Sequence, residues 1–465
     1  MYKVQIGNEI FYAVDGERLS DVLQKNGKTA EHLCGGNGAC GKCMVSVNGK
    51  NELSCRYRVR SDISVILPEM SDIRSFTGTV NTEKNTENMA FALDIGTSTL
   101  ALALVSKDNK AVVRTVTRTN PQRAFGADVM TRIYYCCKNS VDGIRTPLIS
   151  TINEMTEEFV AGKLLPLYVA GNTTMLHIFF GVNPQGMAAA PYMPVFLDSR
   201  ISDGEALGLN GIAEVMSLPS ISAFVGADIT SGLNYAGFPE KNRYNLLVDL
   251  GTNAEIVLYS DEKTICTSAA AGPCFEGANI SCGMSAVDGA VSKFGFVDSV
   301  PHIDTVGKAE IKGICGTGLI DMIACLVSDG TIDKSGYMEN EKYILTESVY
   351  LTQRDVRQFQ LAKSAVKSAI ITLMRINDIS FEQIDKMYIS GGFSSQINLR
   401  NAGITGLLPE ELLSRCTAVN NSSLLGTVKY ICENNELSPY LKNAEYMDLS
   451  SNSVFAEEFI ENMNF

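Results

Sequence analysis

Tryptophan is absent from this chain of 465 residues, and histidine occurs only at His32, His177 and His302. So few imidazoles argue against a histidine-built metal centre. Long apolar runs are missing too. None reaches the ~18 residues of a membrane span, and the first residues alternate as a strand rather than forming a signal peptide. Basic side chains are outnumbered, 39 Lys and Arg against 52 Asp and Glu for a net charge of −13, which argues against a nucleic-acid partner. The expectation is a cytoplasmic protein with neither nucleic acid nor membrane as partner, long enough for about three domains.

Cysteine is plentiful by contrast, at 13. Cys34, Cys40, Cys43 and Cys55 follow the pattern C-x5-C-x2-C-x11-C. Thiolates ligate [2Fe–2S] clusters, with three from one loop and a fourth from further along. Gly35, Gly36, Gly38 and Gly41 lie among the first three cysteines, where a chain wrapping a cluster needs positive φ and close backbone approach. After Cys43 the sequence alternates into Asn48-Gly49, a type I′ hairpin signal that returns the chain to Cys55. Alternation also predicts strands at residues 2–6, 9–14 and 63–67, with a helix at 19–25. The rival readings are a zinc site and plain buried thiols. Zinc sites usually pair two C-x2-C knuckles, and only one is present. The other nine cysteines show no second ligand pattern and read as small buried hydrophobes in a reducing compartment. The cysteine-bearing segment resembles the ferredoxin-like domains of electron-transfer enzymes, and its eleven-residue interval resembles the iron–sulfur subunit of succinate dehydrogenase.

Residues 76–89 lack apolar periodicity and read as a flexible tether with a span of ~20 Å. Beyond it, a pattern occurs twice. FALDIGTST (91–99) leads into an apolar strand, and so does LLVDLGTNAE (246–255). In each copy a glycine permits a tight turn that aims N–H donors at phosphate, a threonine adds a hydroxyl, and an aspartate can hold hydrated Mg²⁺. A third element comes later in the chain. Thr352 with Asp355 predicts a helix N-terminus, and Val356, Phe359, Val366, Ile370 and Leu373 form one apolar face. A strand at 386–390 then runs into Gly391-Gly392, where a flat base could approach the backbone.

In this order the three elements resemble the acetate kinase, sugar kinase, heat-shock chaperone and actin superfamily, whose members clamp ATP–Mg²⁺ between two α/β lobes. The resemblance implies that Asp94, Gly96, Thr97, Ser98 and Thr99 form the first phosphate loop. It likewise implies that Asp249, Gly251, Thr252 and Asn253 form the second, and that Gly391 and Gly392 form the adenosine motif. Asp228 stands where relatives carry the acid that orients the attacking water, although helix capping explains an aspartate there equally well.

Five strings narrow the resemblance: NPQRAFGADV (120–129), AGNTTM (170–175), AGPCFEGA (271–278), GICGTGLID (313–321) and FIENMNF (459–465). They resemble the reductive activators of corrinoid proteins, which join a ferredoxin domain to such an ATPase. Asn172, Thr173, Gly316 and Thr317 are expected at the phosphates on this basis. The implied fold is α/β: a β-grasp ferredoxin-like domain (1–75), the tether, then ribonuclease H-like ATPase lobes at 90–240 and 241–465. The implied function is ATP-dependent return of a Co(II) corrinoid protein to Co(I), with a [2Fe–2S] cluster, ATP and Mg²⁺ as cofactors. Its partners would be the corrinoid protein and an upstream low-potential donor, and a homodimer is allowed. The alternatives are an ATP-coupled activator of another low-potential enzyme, or a small-molecule kinase with a redox-sensing ferredoxin domain. Unlike the best-known activators, this chain passes almost directly from ferredoxin to ATPase.

Overall fold

A computed structural model describes residues 1–7, 9–26, 28, 43–67, 88–126, 128–159, 164–298 and 300–465. Cys34, Cys40 and most of the expected tether lie outside them. The chain divides into two compact units, residues 1–228 with 431–433, and residues 229–430 with 434–465.

The first unit opens with β1 (Tyr2–Ile6), β2 (Glu9–Ala13), α1 (Leu19–Lys25), β3 (Met44–Val47), β4 (Lys50–Leu53) and β5 (Ile63–Ile66). The sheet order is β2-β1-β5-β3-β4, with β1 and β5 parallel, which is a β-grasp arrangement. Alternation puts Val4, Val45, Val47, Ile63 and Val65 on the inner face, all under 5% exposed, with Leu19 and Leu23 of α1 above them. The predicted type I′ turn is present: Asn48 and Gly49 have φ of 50° and 81°. Asn48 also accepts a hydrogen bond from Ser64 N at 2.8 Å, which fixes the β3–β4 hairpin to β5.

The rest of this unit is built on β6 (Met89–Ile95), β7 (Thr99–Ser106), β8 (Ala111–Thr119), α2 (Val129–Lys138), α3 (Val141–Glu157), β9 (Leu165–Gly171), α4 (Thr173–Phe179), β10 (Ile201–Asp203) and β11 (Ile212–Ser217). Its six-stranded sheet runs β10-β11-β9-β6-β7-β8. The meander β6-β7-β8 is antiparallel, while β9 and β11 join in parallel after crossovers. Helix α5 (Ala227–Ala236) comes next, and the division between the units falls inside it.

The second unit repeats the plan. The elements are β12 (Tyr244–Leu250), β13 (Ala254–Tyr259), β14 (Thr264–Ala269), β15 (Ala290–Val297), β16 (Val300–Thr305), β17 (Gly313–Ile314), α6 (Gly316–Ser328), β18 (Lys342–Ile344), β19 (Tyr350–Thr352), α7 (Gln353–Ile376), β20 (Ile384–Ser390), α8 (Leu399–Ile404), β21 (Cys416–Ala418), α9 (Ser422–Glu433), α10 (Ser438–Leu441), β22 (Ala444–Tyr446) and α11 (Ser453–Glu461). The sheet runs β21-β20-β12-β13-β14-β22. Counting strands from the first of each sheet, both halves share the order 3-2-1-4, with a further parallel strand beside the fourth (β11 and β21), so the sequence repeat is a repeat of topology. Helix α7 starts where predicted, with a capping box between Thr352 and Asp355. All five residues of its predicted apolar face are 0% exposed, each contributing about 1.5–3 kcal/mol of burial. Residues 459–465 pack along α7, where Ser364 donates to Phe459 O, Gln360 to Met463 O and Lys363 to Asn464 O.

Candidate cluster and nucleotide sites

Cys43 and Cys55 close the ends of the β3–β4 hairpin. Ser54 N donates to Cys43 O at 3.0 Å, and Arg56 N and Tyr57 N both donate to Leu53 O. This tight turn aims the two thiols at each other. They are buried, at 1% and 4% exposure, and unoxidised, with Sγ atoms 3.2 Å apart. That exceeds the about 2.05 Å of a disulfide and approaches the about 3.8 Å between two thiolates on one tetrahedral metal with bonds of about 2.3 Å. The pair therefore fits as half of a four-thiolate ligand set. Among the described residues no three His, Cys, Asp or Glu side chains converge on a metal position, and two of the four expected ligands lie outside those residues. Of the nine other cysteines, Cys136, Cys266, Cys274 and Cys315 are buried as expected, four are half-buried, and Cys137 is exposed. Burial pushes the thiols of Cys266 and Cys416 up to about 12, so both stay protonated and inert.

The first Asp-x-Gly-Thr copy is the turn between β6 and β7. Asp94 is buried in register between Ala101 of β7 and Ala170 of β9. Beyond it, the backbone oxygens of three successive residues are each tied down. Asn120 Nδ2 donates to Gly96 O at 2.8 Å, Arg132 Nη2 to Thr97 O at 2.6 Å, and Asn120 N to Ser98 O at 2.9 Å. Arg132 is wholly buried on α2 and also bonds Gly126 O and Gln122 Oε1. With its carbonyls engaged from behind, the loop is held as a rigid turn over a guanidinium. Asn172, after β9, caps α4 through Met175 N and donates from Nδ2 to Thr97 Oγ1 at 3.1 Å. Thr173 is not open to a ligand, because it is fully buried and donates to Ser222 O at 2.6 Å. Asp228 is half-buried in the first turn of α5. A Cβ on Gly226, two residues earlier, would lie 2.4 Å from Asn172 Cα, so α5 begins against the Asn172 turn.

The second copy is the turn between β12 and β13. Gly251 N donates to Asn253 O at 3.1 Å, and Gly272 N to Thr252 O at 2.9 Å. Thr252 Oγ1 donates to Glu276 Oε1 at 2.8 Å. Asp249 pairs in register with Glu255 of β13 and Ser390 of β20. The Gly pair comes directly after β20. Gly391 has φ of 116°, and a Cβ there would fall 2.1 Å from Leu250 O, so only glycine fits beside the second loop. A Cβ on Gly392 would meet nothing within 4 Å, which is the open face that a flat base requires. The first unit solves the same contact alike: a Cβ on Gly171 would lie 2.8 Å from Ile95 O.

Gly316 and Thr317, expected at the phosphates, lie at the start of α6 in close packing. A Cβ on Gly316 would lie 2.0 Å from Phe275 O and one on Gly318 2.1 Å from Val291 O, while Thr317 donates to Ser292 O at 3.0 Å. These residues seat α6 against the turn that carries Glu276. Sequence patterning assigns no role to Glu276 or Arg132. The available signal for Arg132 is a charged residue on the same helical face as buried Ile133 and Cys136. For Glu276 it is an acid inside a Gly-Pro turn.

His177 fixes the far end of α4. Its Nδ1 donates to Thr173 O at 2.7 Å and its Nε2 accepts from Val195 N at 3.0 Å, an arrangement only the neutral ring satisfies. Burial, assisted by Arg200, pulls its pKa down from 6.5 to about 4. The unfolded chain therefore takes up a proton below about pH 6.5 that the folded chain refuses, and stability falls between pH 6.5 and 4. The expected loss from this site is about 3 kcal/mol. Urea unfolding at about pH 7 and about pH 4.5 should show a steeper pH slope for the native chain than for His177→Gln. Equal slopes would remove His177 from the account.

Three family models match the chain: the 2Fe-2S iron-sulfur cluster binding domain at residues 4–61, the RACo middle region at 89–241, and the C-terminal ASKHA domain of RACo at 243–465. The region termed middle in that family is thus present as the half that carries the first Asp-x-Gly-Thr turn. The chain is 28% identical over 424 residues to the corrinoid activation enzyme RamQ of Eubacterium limosum, covering 82% of this chain and 71% of RamQ. It is 27% identical over 422 residues to the [Co(II) methylated amine-specific corrinoid protein] reductase of Methanosarcina barkeri, covering 80% and 76%. A solved reductive activator for a corrinoid, iron-sulfur protein superposes with a TM-score of 0.73 at 25% identity, covering 100% of this chain and 98% of that one. Among the described residues, no helix is long and apolar enough to cross a membrane.

Proposed function

Because this chain belongs to the RACo family, with a [2Fe–2S] domain ahead of the middle and ASKHA regions, we propose that it is an ATP-dependent reductive activator returning an inactive Co(II) corrinoid protein to Co(I) for methyl transfer. The observation that carries the reading is one chain holding both a converging thiol pair, Cys43 and Cys55, and a phosphate-type loop built twice on the same topology.

When bound, the cluster supplies electrons singly at low potential. Cys34, Cys40, Cys43 and Cys55 would hold it, and burial of the last two keeps water from their sulfurs. For the nucleotide, N–H groups of Gly96 to Thr99 in the first loop, and of Thr252 and Asn253 in the second, would be offered to phosphate oxygens, while Gly251 N closes its own turn on Asn253 O. Asp94 and Asp249 would hold hydrated Mg²⁺, a hard cation suited to oxygen donors. Gly391 and Gly392 would pass beneath the base, and Asp228 would orient the attacking water. Asn172 would steady the first loop, while Thr173, Gly316 and Thr317 support the loops from behind. The partners are the Co(II) corrinoid protein and an upstream low-potential donor, in a reducing cytoplasm, with the chain acting alone or as a homodimer.

Coupling can be argued from magnitudes. For one electron, about 60 mV is a tenfold change in equilibrium. A deficit of about 240 mV therefore needs about 5.5 kcal/mol, the differential binding that drives a two-state protein almost wholly across. ATP binding and hydrolysis can meet that need where a bare electron carrier cannot. The test is anaerobic absorbance of a Co(II) corrinoid protein mixed with the reduced chain. Co(I) should accumulate with ATP and Mg²⁺ and stay near background without them. A Co(I) yield indifferent to ATP would end the coupling.

A further inference from the structure

No Asp, Glu, Lys or Arg stands between Lys163 and Asp198, in a chain that is 20% charged. For β9 and α4 this is ordinary, since both are largely buried. The loop that follows α4 is not buried. Met193, Val195 and Ile201, the last at the start of β10, are 63%, 66% and 63% exposed, and Tyr192 is 38% exposed. Single apolar residues on a surface need no explanation, but several on one loop mark a contact site.

The loop is held at several points along its backbone. Met193 N donates to Gly186 O at 2.8 Å, Val195 N to His177 Nε2 at 3.0 Å, and Ser220 N to Leu197 O at 2.8 Å. Arg200 is tied to Ser217 of β11 in both directions, its N donating to Oγ and its O accepting from N, each at 2.9 Å. Phe196 stacks on the His177 ring with centroids 4.2 Å apart, and Tyr192 meets Phe224 edge-on at 4.9 Å. The exposed side chains are therefore presented on a fixed backbone, so little ordering is left for a partner to impose.

Arg200 closes the strip. Its guanidinium carbon lies 4.6 Å from the centre of the Phe196 ring and 5.8 Å from that of Phe180. Among the described residues no carboxylate or other acceptor takes its N–H groups, not even the exposed Asp198 two positions earlier. Stacking orients the guanidinium plane and leaves its donors open. A planar fork held this way matches a carboxylate with two parallel hydrogen bonds.

Resting on the activator reading above, we infer that residues 192–201 form the surface on which the Co(II) corrinoid protein docks, meeting it with an apolar strip that ends in one arginine. Tyr, Met, Phe and Arg are the residues enriched in protein interfaces, whose centres are depleted of charge. The net charge of −13 repels acidic groups from the chain as a whole. At Arg200 a carboxylate of the partner finds an unclaimed cation beside an uncharged run. The size of the strip also bears on its occupant. Permanent dimers bury about 2,000 Å² or more, and even a standard interface takes about 20–30 residues a side. A strip confined to residues 192–201 has the scale of a transient contact, and an activator must release each Co(I) product before acting again.

Initial rates of Co(I) formation test the surface. They are measured with the full chain, ATP and Mg²⁺, against the concentration of a Co(II) corrinoid protein that the native chain reduces. Met193→Asp and Val195→Asp should each raise KM about ten- to thirtyfold, the scale of losing an interface anchor, with kcat within about twofold. Arg200→Ala should raise KM about tenfold and flatten its dependence on salt, because salt screens the contact that this variant lacks. Cluster absorbance and ATP affinity should match the native chain in all three. Arg200→Ala leaves the backbone bonds of the loop in place, and so decides the matter if an aspartate variant does not fold. Unchanged KM in Arg200→Ala and in the folded aspartate variants overturns the docking surface and leaves the activator reading standing. So does a native dimer that these substitutions turn into monomers, since a second copy would then cover the strip. A native chain that reduces no corrinoid protein overturns the activator reading itself, and the docking surface with it.

Discussion

A Cys43→Ser chain should lose the visible absorbance of a [2Fe–2S] cluster and drop Co(I) formation to background, while its affinity for ATP stays within about twofold. The first loss is expected because Cys43 and Cys55 are the matched ends of one hairpin, buried and 3.2 Å apart. A serine oxygen there is a harder and far less acidic ligand than a thiolate. Nucleotide binding should be retained because the phosphate loops lie on separate sheets from the β-grasp domain. Ser and Cys have nearly the same volume, so the fold of residues 1–67 should persist, as thermal unfolding of the reduced chains can verify. A variant that keeps its cluster spectrum would mean that Cys43 is not a ligand.

Asp249→Ala should do the reverse. The cluster spectrum persists, while ATP turnover falls about 10²–10³-fold, the usual scale when a group stabilising transition-state charge is removed. Asp249 is the last polar residue of β12 before the turn, flanked in register by Glu255 and Ser390, and its exchange for alanine leaves all those ladder bonds in place. Phosphate release measured beside cluster absorbance separates the two effects. If Cys43→Ser and Asp249→Ala both spare Co(I) formation, the assignment of both sites is wrong.

The parts of this molecule that could be read from its sequence are those whose physics is local. The α7 start was legible because a Thr-x-x-Asp cap and a 3.6-residue apolar period act within one helix. The Asn48-Gly49 turn was legible because positive φ at two successive residues leaves few side chains to choose from. The doubled Asp-x-Gly-Thr was legible because each copy is a single hairpin. Contacts between residues far apart in the chain decided the features that escaped. Glu276 is 24 residues from the threonine it holds, and Arg132 is 35 from the carbonyl it bonds. Gly316-Thr317-Gly318 shows how a short string underdetermines its surroundings. The same small-residue string suits a phosphate cradle or a helix crossing a strand closely, and only the atoms opposite, Phe275 O and Val291 O, tell the two apart. Thr173 is similar: the partner of its hydroxyl, Ser222 O, is 49 residues away.

The glycines at 171 and 391 press against matching carbonyls, Ile95 O and Leu250 O, so the same close contact is made in both halves. The residue after each glycine differs. In one half Asn172 fills the next position and spends its amide on a loop hydroxyl. In the other, Gly392 leaves that volume empty. The repeated module is thus asymmetric at the neighbouring side chain. The filled half holds its loop threonine through an amide, and the vacant half has no side chain at that position to do so. One exchanged side chain is therefore enough to make two like turns differ in what they offer a ligand.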